Sequence, residues 1–245
     1  MGLSIESLTE RDIAKAIDHS LLKPELDDAL VEAGCRLAAK YDVASVCVRP
    51  ADVSRAKAIL AATDVAVGTT IGFPHGNHVT EIKVAEARRA LSDGATELDM
   101  VIQIGALKAG RDADVESDIR AVVEVGHAAG AIVKVIFENA YLTDAEKIRA
   151  CHLSESAGAD FVKTSTGFAP SGATLDDLRL MRANTSPHVQ IKAAGGVRTL
   201  DALLAVMEVG VTRIGATATE AIIEEFRARK AGLAPAGKGT LEGGY

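Results

Sequence analysis

The 245-residue chain has only three cysteines, Cys35, Cys47 and Cys151, and no CxxC pair. So sparse and odd-numbered a set excludes a disulfide framework, and the thiols read as reduced, buried groups. Basic excess is also missing. A net charge of −7 argues against nucleic acid as a partner, because a phosphate backbone calls for a basic surface. A small anion stays admissible, since helix ends and local cations override the global sign. No apolar run reaches the roughly 18–20 residues of a membrane span, and no N-terminal stretch has the pattern of a signal peptide. A membrane partner is therefore not expected, and a cytoplasmic location is. Asn184-Thr185-Ser186 matches a glycosylation sequon, read as chance without a secretory signal. There is no GxGxxG after the first strand and no GxxxxGK anywhere, which removes the main signal of an open nucleotide-binding sheet. HExxH is absent, and His75 and His78 straddle a Gly-Asn turn with no ligand-spaced Cys or acid. No metal is expected.

What is present alternates. Short β-rich runs occur at 44–48, 65–71, 97–102, 132–137, 161–164, 189–193 and 212–215, separated by longer segments of helical periodicity at 26–40, 78–91, 114–129, 144–157, 175–183, 200–209 and 218–228. Thr143 and Thr199 read as N-caps, and Gly94, Gly130, Gly158 and Gly210 as the left-handed residues that close helices. A short first strand at 16–19 brings the count to eight βα units, that of a closed barrel. The expected fold is α/β: a single-domain TIM (β/α)8 barrel over 1–232, with a short N-terminal helix. The Gly-rich stretch 233–245 reads as a flexible C-terminal tail.

The apolar strands contain residues that do not belong in an apolar strand. Lys134 lies in AIVKVIFEN, Lys163 in GADFVKTSTGF and Lys192 in VQIKAAGG, while Glu97 and Asp99 lie in ATELDMVI. Alternation puts Glu97 and Asp99 on one face of their strand, with Leu98 and Met100 on the other. The acids then face the barrel interior. Lys163 and Lys192 are expected at the C-terminal strand ends, where barrel active sites lie. A lone Lys–Asp pair reads as structural. Three strand lysines in separate units beside an acid pair read as amine chemistry. Burial and a neighbouring ammonium both lower a lysine's pKa, freeing an amine to attack a carbonyl. The imine then serves as electron sink for breaking a C–C bond, with Asp99 moving protons. Glycines in the same loops, Gly167, Gly195, Gly196 and Gly215, suit a phosphate cradled by backbone N–H groups ahead of the last helix. A phosphosugar isomerase and a non-catalytic sugar-phosphate sensor are the competing readings.

Several segments together closely resemble the deoxyribose-phosphate aldolases, class I aldolases on a TIM barrel. They are IDHSLLKP (17–24), SVCVRP (45–50), GFPHGN (72–77), ELDMVIQIG (97–105), KVIFE (134–138), GADFVKTSTGF (158–168), IKAAGGVRT (191–199) and RIGAT (213–217). The resemblance implies Lys163 as the imine-forming lysine, Lys192 as the second lysine that tunes it, and Asp99 as acid/base partner. It further implies Asp18 as an ordering carboxylate and Tyr245 as a tail tyrosine for enamine protonation. Phosphate and substrate contacts would fall on Gly167, Gly195, Gly196, Gly215, Thr217, Thr166, Cys47 and Lys134. No cofactor is implied beyond the covalent imine on Lys163. The implied partners are a small phosphosugar and short aldehydes, in a homodimer or higher homo-oligomer. Three departures stand out: Thr217-Ala218 where many members carry two serines, Phe168 where some carry lysine, and Asn139-Ala140 after Glu138.

Overall fold

The computed structural model describes residues 4–233. Eight parallel strands close on themselves in sequence order: β1 (Ile17–Leu21), β2 (Ser45–Val48), β3 (Ala66–Ile71), β4 (Glu97–Val101), β5 (Ile132–Ile136), β6 (Phe161–Lys163), β7 (Gln190–Ala194) and β8 (Arg213–Ala216). β8 returns to pair with β1 through Asp18 and Gly215. The helices are α1 (Glu10–Ala14), α2 (Asp28–Lys40), α3 (Val53–Ile59), α4 (Thr80–Ser92), α5 (Ile104–Lys108), α6 (Asp112–Ala128), α7 (Asp144–Ser156), α8 (Leu175–Ala183), α9 (Leu200–Glu208) and α10 (Thr219–Lys230). This is the (β/α)8 barrel that the alternation predicts, including the short first helix. Among the described residues no helix is long and apolar enough to cross a membrane.

The strands hold their outward faces against the helices by burial of branched apolar side chains. Leu98, Met100, Val133 and Val135 are fully buried in that layer, each removing about 1.5–3 kcal/mol of apolar surface from water. At Gly126, α6 approaches β5 so closely that a Cβ would sit 2.5 Å from Val133 Cγ2. The helices begin where side chains can satisfy their open N–H groups. Thr143 closes a capping box with Glu146 at the start of α7, and Thr199 accepts the Ala202 N–H at the start of α9. α3 and α5 are additional to the predicted elements. Both are too short to show periodicity.

The inward faces carry the chemistry. Register pairs Asp99 with Lys134 across β4 and β5, Lys163 with Lys192 across β6 and β7, and Lys192 with Arg213 across β7 and β8. Neighbours paired in parallel strands share a face, so these charges point into the same interior.

Candidate active site

Asp99 is the hub. Its Oδ2 accepts from Lys163 Nζ and from Lys192 Nζ, each at 2.7 Å, and its Oδ1 accepts from Lys134 Nζ at 2.8 Å. Lys134 also reaches Glu97 at 2.6 Å and Asp18 at 3.7 Å, and Lys192 reaches Asp18 at 2.5 Å. Arg213, unremarked in the sequence reading, closes the base of the cluster. Its Nε donates to Asp18 Oδ1 at 2.6 Å, and its Nη2 donates to Ser45 Oγ at 3.1 Å and to Glu97 at 2.9 Å. Its signal was its place two residues before the inward-facing Gly215, on the same strand face.

Four cationic side chains, Lys134, Lys163, Lys192 and Arg213, thus face three carboxylates, Asp18, Glu97 and Asp99. With every group ionised the interior holds one uncompensated positive charge, which is costly at low dielectric. The protons are held unequally. Burial acts against charge on all three lysines. At Lys163, whose one carboxylate partner among the described residues is the shared Asp99, burial and the neighbouring Lys192 prevail, and the amine is held below the ordinary lysine range. At Lys192 burial is outweighed by Asp18 and Asp99, and the ammonium is held above that range. Lys134 is likewise raised: burial is overcome by Asp99 and Glu97. Asp99 opposes burial with three lysines around it and stays well below the usual carboxylate range. Asp18 is lowered as well, its burial overcome by Lys192 and Arg213.

Placement along the strands separates the lysines. Lys163 ends β6, as expected, but Lys192 is the central residue of β7 rather than its end. Lys134 lies deeper in the barrel than Lys163. Grouped from sequence with the substrate and phosphate contacts, it lies two residues deeper than Ile136, the residue that pairs with Lys163. It is only 1% exposed, and its ammonium is occupied by Glu97 and Asp99, so it supports the cluster from beneath. Cys47 is buried on β2, and burial pushes its thiol up to about 11. It remains a neutral neighbour of the cluster and no nucleophile.

Above the cluster, the loops after β7 and β8 enclose a cavity of about 230 Å³ lined by Gly195, Gly196, Gly215 and Thr217 together with Lys23 and Arg198. The predicted glycines are therefore brought together, and two cations missed by the sequence reading join them. Gly195 has φ +78° and packs so near Gly172 that a Cβ would lie 2.8 Å from its Cα. Only glycine permits both the left-handed turn and that approach. Gly167 stands on the adjoining loop after Thr166. Thr166 Oγ donates to the Glu138 carboxylate. Phe168 packs edge-on against Phe73, with ring centroids 5.4 Å apart. Ala218 precedes α10 without a side-chain cap. His19 is buried and meets Thr219 Oγ1 at 2.8 Å. Tyr245 lies outside the described residues.

A closed parallel barrel with three interior lysines around one shared aspartate, below a glycine-lined cavity, has the architecture of the barrel aldolases. The chain belongs to the DeoC/LacD aldolase family, whose description matches residues 13–237. It is 50% identical to a deoxyribose-phosphate aldolase of Rhodopirellula baltica over 216 residues, covering 88% of this chain and 90% of that one. Identity to the enzyme of the same name from Thermococcus gammatolerans is 52% over 218 residues, covering 88% and 97%. Among solved structures, the tetrameric deoxyribose phosphate aldolase of Aeropyrum pernix superimposes with a TM-score of 0.85 at 28% identity, covering 92% of this chain and 95% of that one.

Proposed function

We propose that the protein reversibly cleaves 2-deoxy-D-ribose 5-phosphate into acetaldehyde and D-glyceraldehyde 3-phosphate through an imine on Lys163. The observation that carries this reading is the charge imbalance of the interior. Four cations against three carboxylates favour one neutral amine, and Lys163 has the weakest claim on an anion.

The free amine of Lys163 attacks C1 of the open-chain sugar. Proton transfers convert the carbinolamine to a protonated imine with loss of water. Lys192, held protonated by Asp18 and Asp99, supplies protons, and Asp99 holds both amines at 2.7 Å. The C3 hydroxyl then passes its proton to Asp99 through a water while the C2–C3 bond breaks. C3 leaves as the aldehyde of glyceraldehyde 3-phosphate, and the bonding electrons enter the iminium to give an enamine. Protonation of the enamine at C2 and hydrolysis release acetaldehyde and restore Lys163. In this scheme the imine is the electron sink and no further cofactor enters. The phosphate sits in the cavity formed by Gly195, Gly196, Gly215 and Thr217, with Lys23 and Arg198 contributing positive charge. Tyr245 is kept as the tail residue for enamine protonation. The assembly is proposed to be a homo-oligomer, supported by the tetrameric Aeropyrum relative, and the location cytoplasmic.

Incubation with acetaldehyde and borohydride, followed by peptide mapping, tests the reading. The expected result is a reduced two-carbon adduct on Lys163 that disappears in Lys163→Ala, with cleavage falling by about 10⁴-fold or more. An adduct confined to other lysines, or none, would remove the imine mechanism.

A further inference from the structure

Glu138 is a costly residue that the mechanism above does not use. It is one of two non-glycine residues with positive φ in the described chain, at φ 60° and ψ 64°, a left-handed conformation that costs an ordinary side chain roughly 1–2 kcal/mol. The residue is buried, and among the described residues no cation pairs with its carboxyl within 4.0 Å. Burial pushes that carboxyl above its ordinary value. A backbone outlier and an unpaired buried acid at one position, next to reacting groups, call for a functional account.

The surrounding hydrogen bonds supply one. Phe137 N–H donates to the Lys163 carbonyl at 3.0 Å, and Asn139 N–H donates to the Thr164 carbonyl at 2.9 Å. The chain leaving β5 is therefore laced to the chain leaving β6 on both sides of Glu138. The left-handed turn between those two bonds brings the Glu138 carboxylate to Thr166. One carboxylate oxygen accepts the Thr166 N–H at 3.2 Å, and the other accepts the Thr166 hydroxyl. The same hydroxyl accepts the Phe168 N–H at 3.0 Å. The carboxylate thus ends a chain of donors that runs through the loop directly after Lys163. A carboxylate, with an acceptor oxygen for each, takes both Thr166 donors at once.

We propose that Glu138 is a positioning residue for the reaction: acting through Thr166, it fixes the loop that follows Lys163 and so the aim of the Lys163 amine. This rests on Lys163 being the imine-forming lysine. Glu138 touches no reacting atom. It sets the path of the backbone from which Lys163 and the neighbouring phosphate loop project. Glu138→Gln tests the role at nearly constant volume, because the amide keeps one acceptor oxygen but removes the charge and turns an NH₂ toward the Thr166 hydroxyl, which must give up its bond to a carboxylate oxygen.

The experiment compares wild type, Glu138→Gln, Thr166→Val and the double variant. Each is read for the rate of borohydride-trapped adduct formation with acetaldehyde, kcat and KM for 2-deoxy-D-ribose 5-phosphate, and Tm. Misplacement of a nucleophile by an ångström is worth up to about a hundredfold. Each single variant is expected to slow adduct formation and kcat by about tenfold to a hundredfold at a temperature where it is fully folded. The double variant should be no slower than the worse single one, since both cut the same link. A folded Glu138→Gln enzyme with wild-type trapping and kcat, changed only in Tm, overturns the proposal. So does full additivity in the double variant, and Thr166→Val decides the matter in the same way if Glu138→Gln does not fold. A wild-type protein that forms no adduct on Lys163 overturns the imine reading itself, a result distinct from an unaffected variant.

Discussion

Lys83 and Lys163 are both buried lysines facing a buried aspartate, yet they occupy opposite sides of the barrel wall. Lys83 lies on α4, between the helices, fully buried; its Nζ donates to Asp118 of α6 at 2.5 Å and to the Val101 carbonyl at 2.8 Å. Burial holds its pKa below the ordinary range against the pull of Asp118. Lys163 is lowered by burial too, but its aspartate is shared with two other lysines, and it ends a strand at the mouth. Depressed basicity alone therefore does not mark a nucleophile. What separates the two is that the helical pair is one cation to one anion and sealed, whereas the interior cluster has an excess cation and opens toward a cavity.

The largest effect is expected from withdrawing the shared anion. Asp99→Asn leaves four cations facing two carboxylates, so the loss should reach or exceed the upper end of the about 3–5 kcal/mol seen when a buried pair is broken. Cleavage of the phosphosugar should vanish with it. Urea unfolding and a coupled assay on the same preparation measure both, and a variant as stable as wild type would show that the cluster is compensated from elsewhere. Lys83→Met comes next. It strips Asp118 of its cation and leaves only the Thr80 hydroxyl, at 2.9 Å, for an expected loss of about 3–4 kcal/mol. Imine trapping at Lys163 should persist wherever the variant is folded. If trapping fails in the folded variant, the helical pair is coupled to the site and the contrast drawn above is wrong.

The inner cluster was legible in the sequence and the helical pair was not. A lysine or aspartate interrupting an apolar alternating run is conspicuous, so Lys134, Lys163, Lys192, Glu97 and Asp99 stood out against Leu98, Val133 and Val135. On α4, Lys83 lies among Glu81, Glu86, Arg88 and Arg89, where one more charge looks like a solvated face. Arg213 escaped for a related reason: it opens β8, where a charged residue reads as a strand boundary. The barrel order was readable because strand and helix periods differ over whole segments. The opposite shifts of Lys163 and Lys192 were not. They depend on which carboxylates lie within a few ångströms, and strand register decides that.

Acid should separate the two regions from a third buried group. Burial holds His19 down to about 4 from its ordinary 6.5, so the folded protein keeps it neutral while the unfolded chain takes up a proton. Below about 6.5 the unfolded state binds more protons, and stability falls until the folded histidine titrates near 4. At about 1.4 kcal/mol per pH unit that interval amounts to about 3 kcal/mol. Asp18 and Asp99 stay ionised throughout, since both are held well below the usual range. Urea midpoints from pH 7 to 4 should decline in wild type and flatten in a folded His19→Gln variant. An equal decline in both would assign acid sensitivity to the carboxylate networks instead.

The smallest effect should come from removing the helical pair altogether. Lys83→Met with Asp118→Leu leaves no unpaired charge, and apolar replacement of a buried ion pair is often neutral or favourable. Two polar groups lose partners, however. Thr80 is half-buried and can turn its hydroxyl to water, but the Val101 carbonyl loses the Lys83 ammonium. An orphaned carbonyl costs about 1–3 kcal/mol, part of which the new apolar contacts offset. The net loss expected is about 1–2 kcal/mol, smaller than that of Lys83→Met alone, with unchanged cleavage. Such a recovery would mean that the outer pair matters only as mutual compensation, so that apolar packing can replace it. A double variant no better than the single one would instead make the Lys83–Val101 bond the essential contact. That bond anchors the end of β4, the strand that carries Asp99, and the two buried lysines would then belong to one connected system.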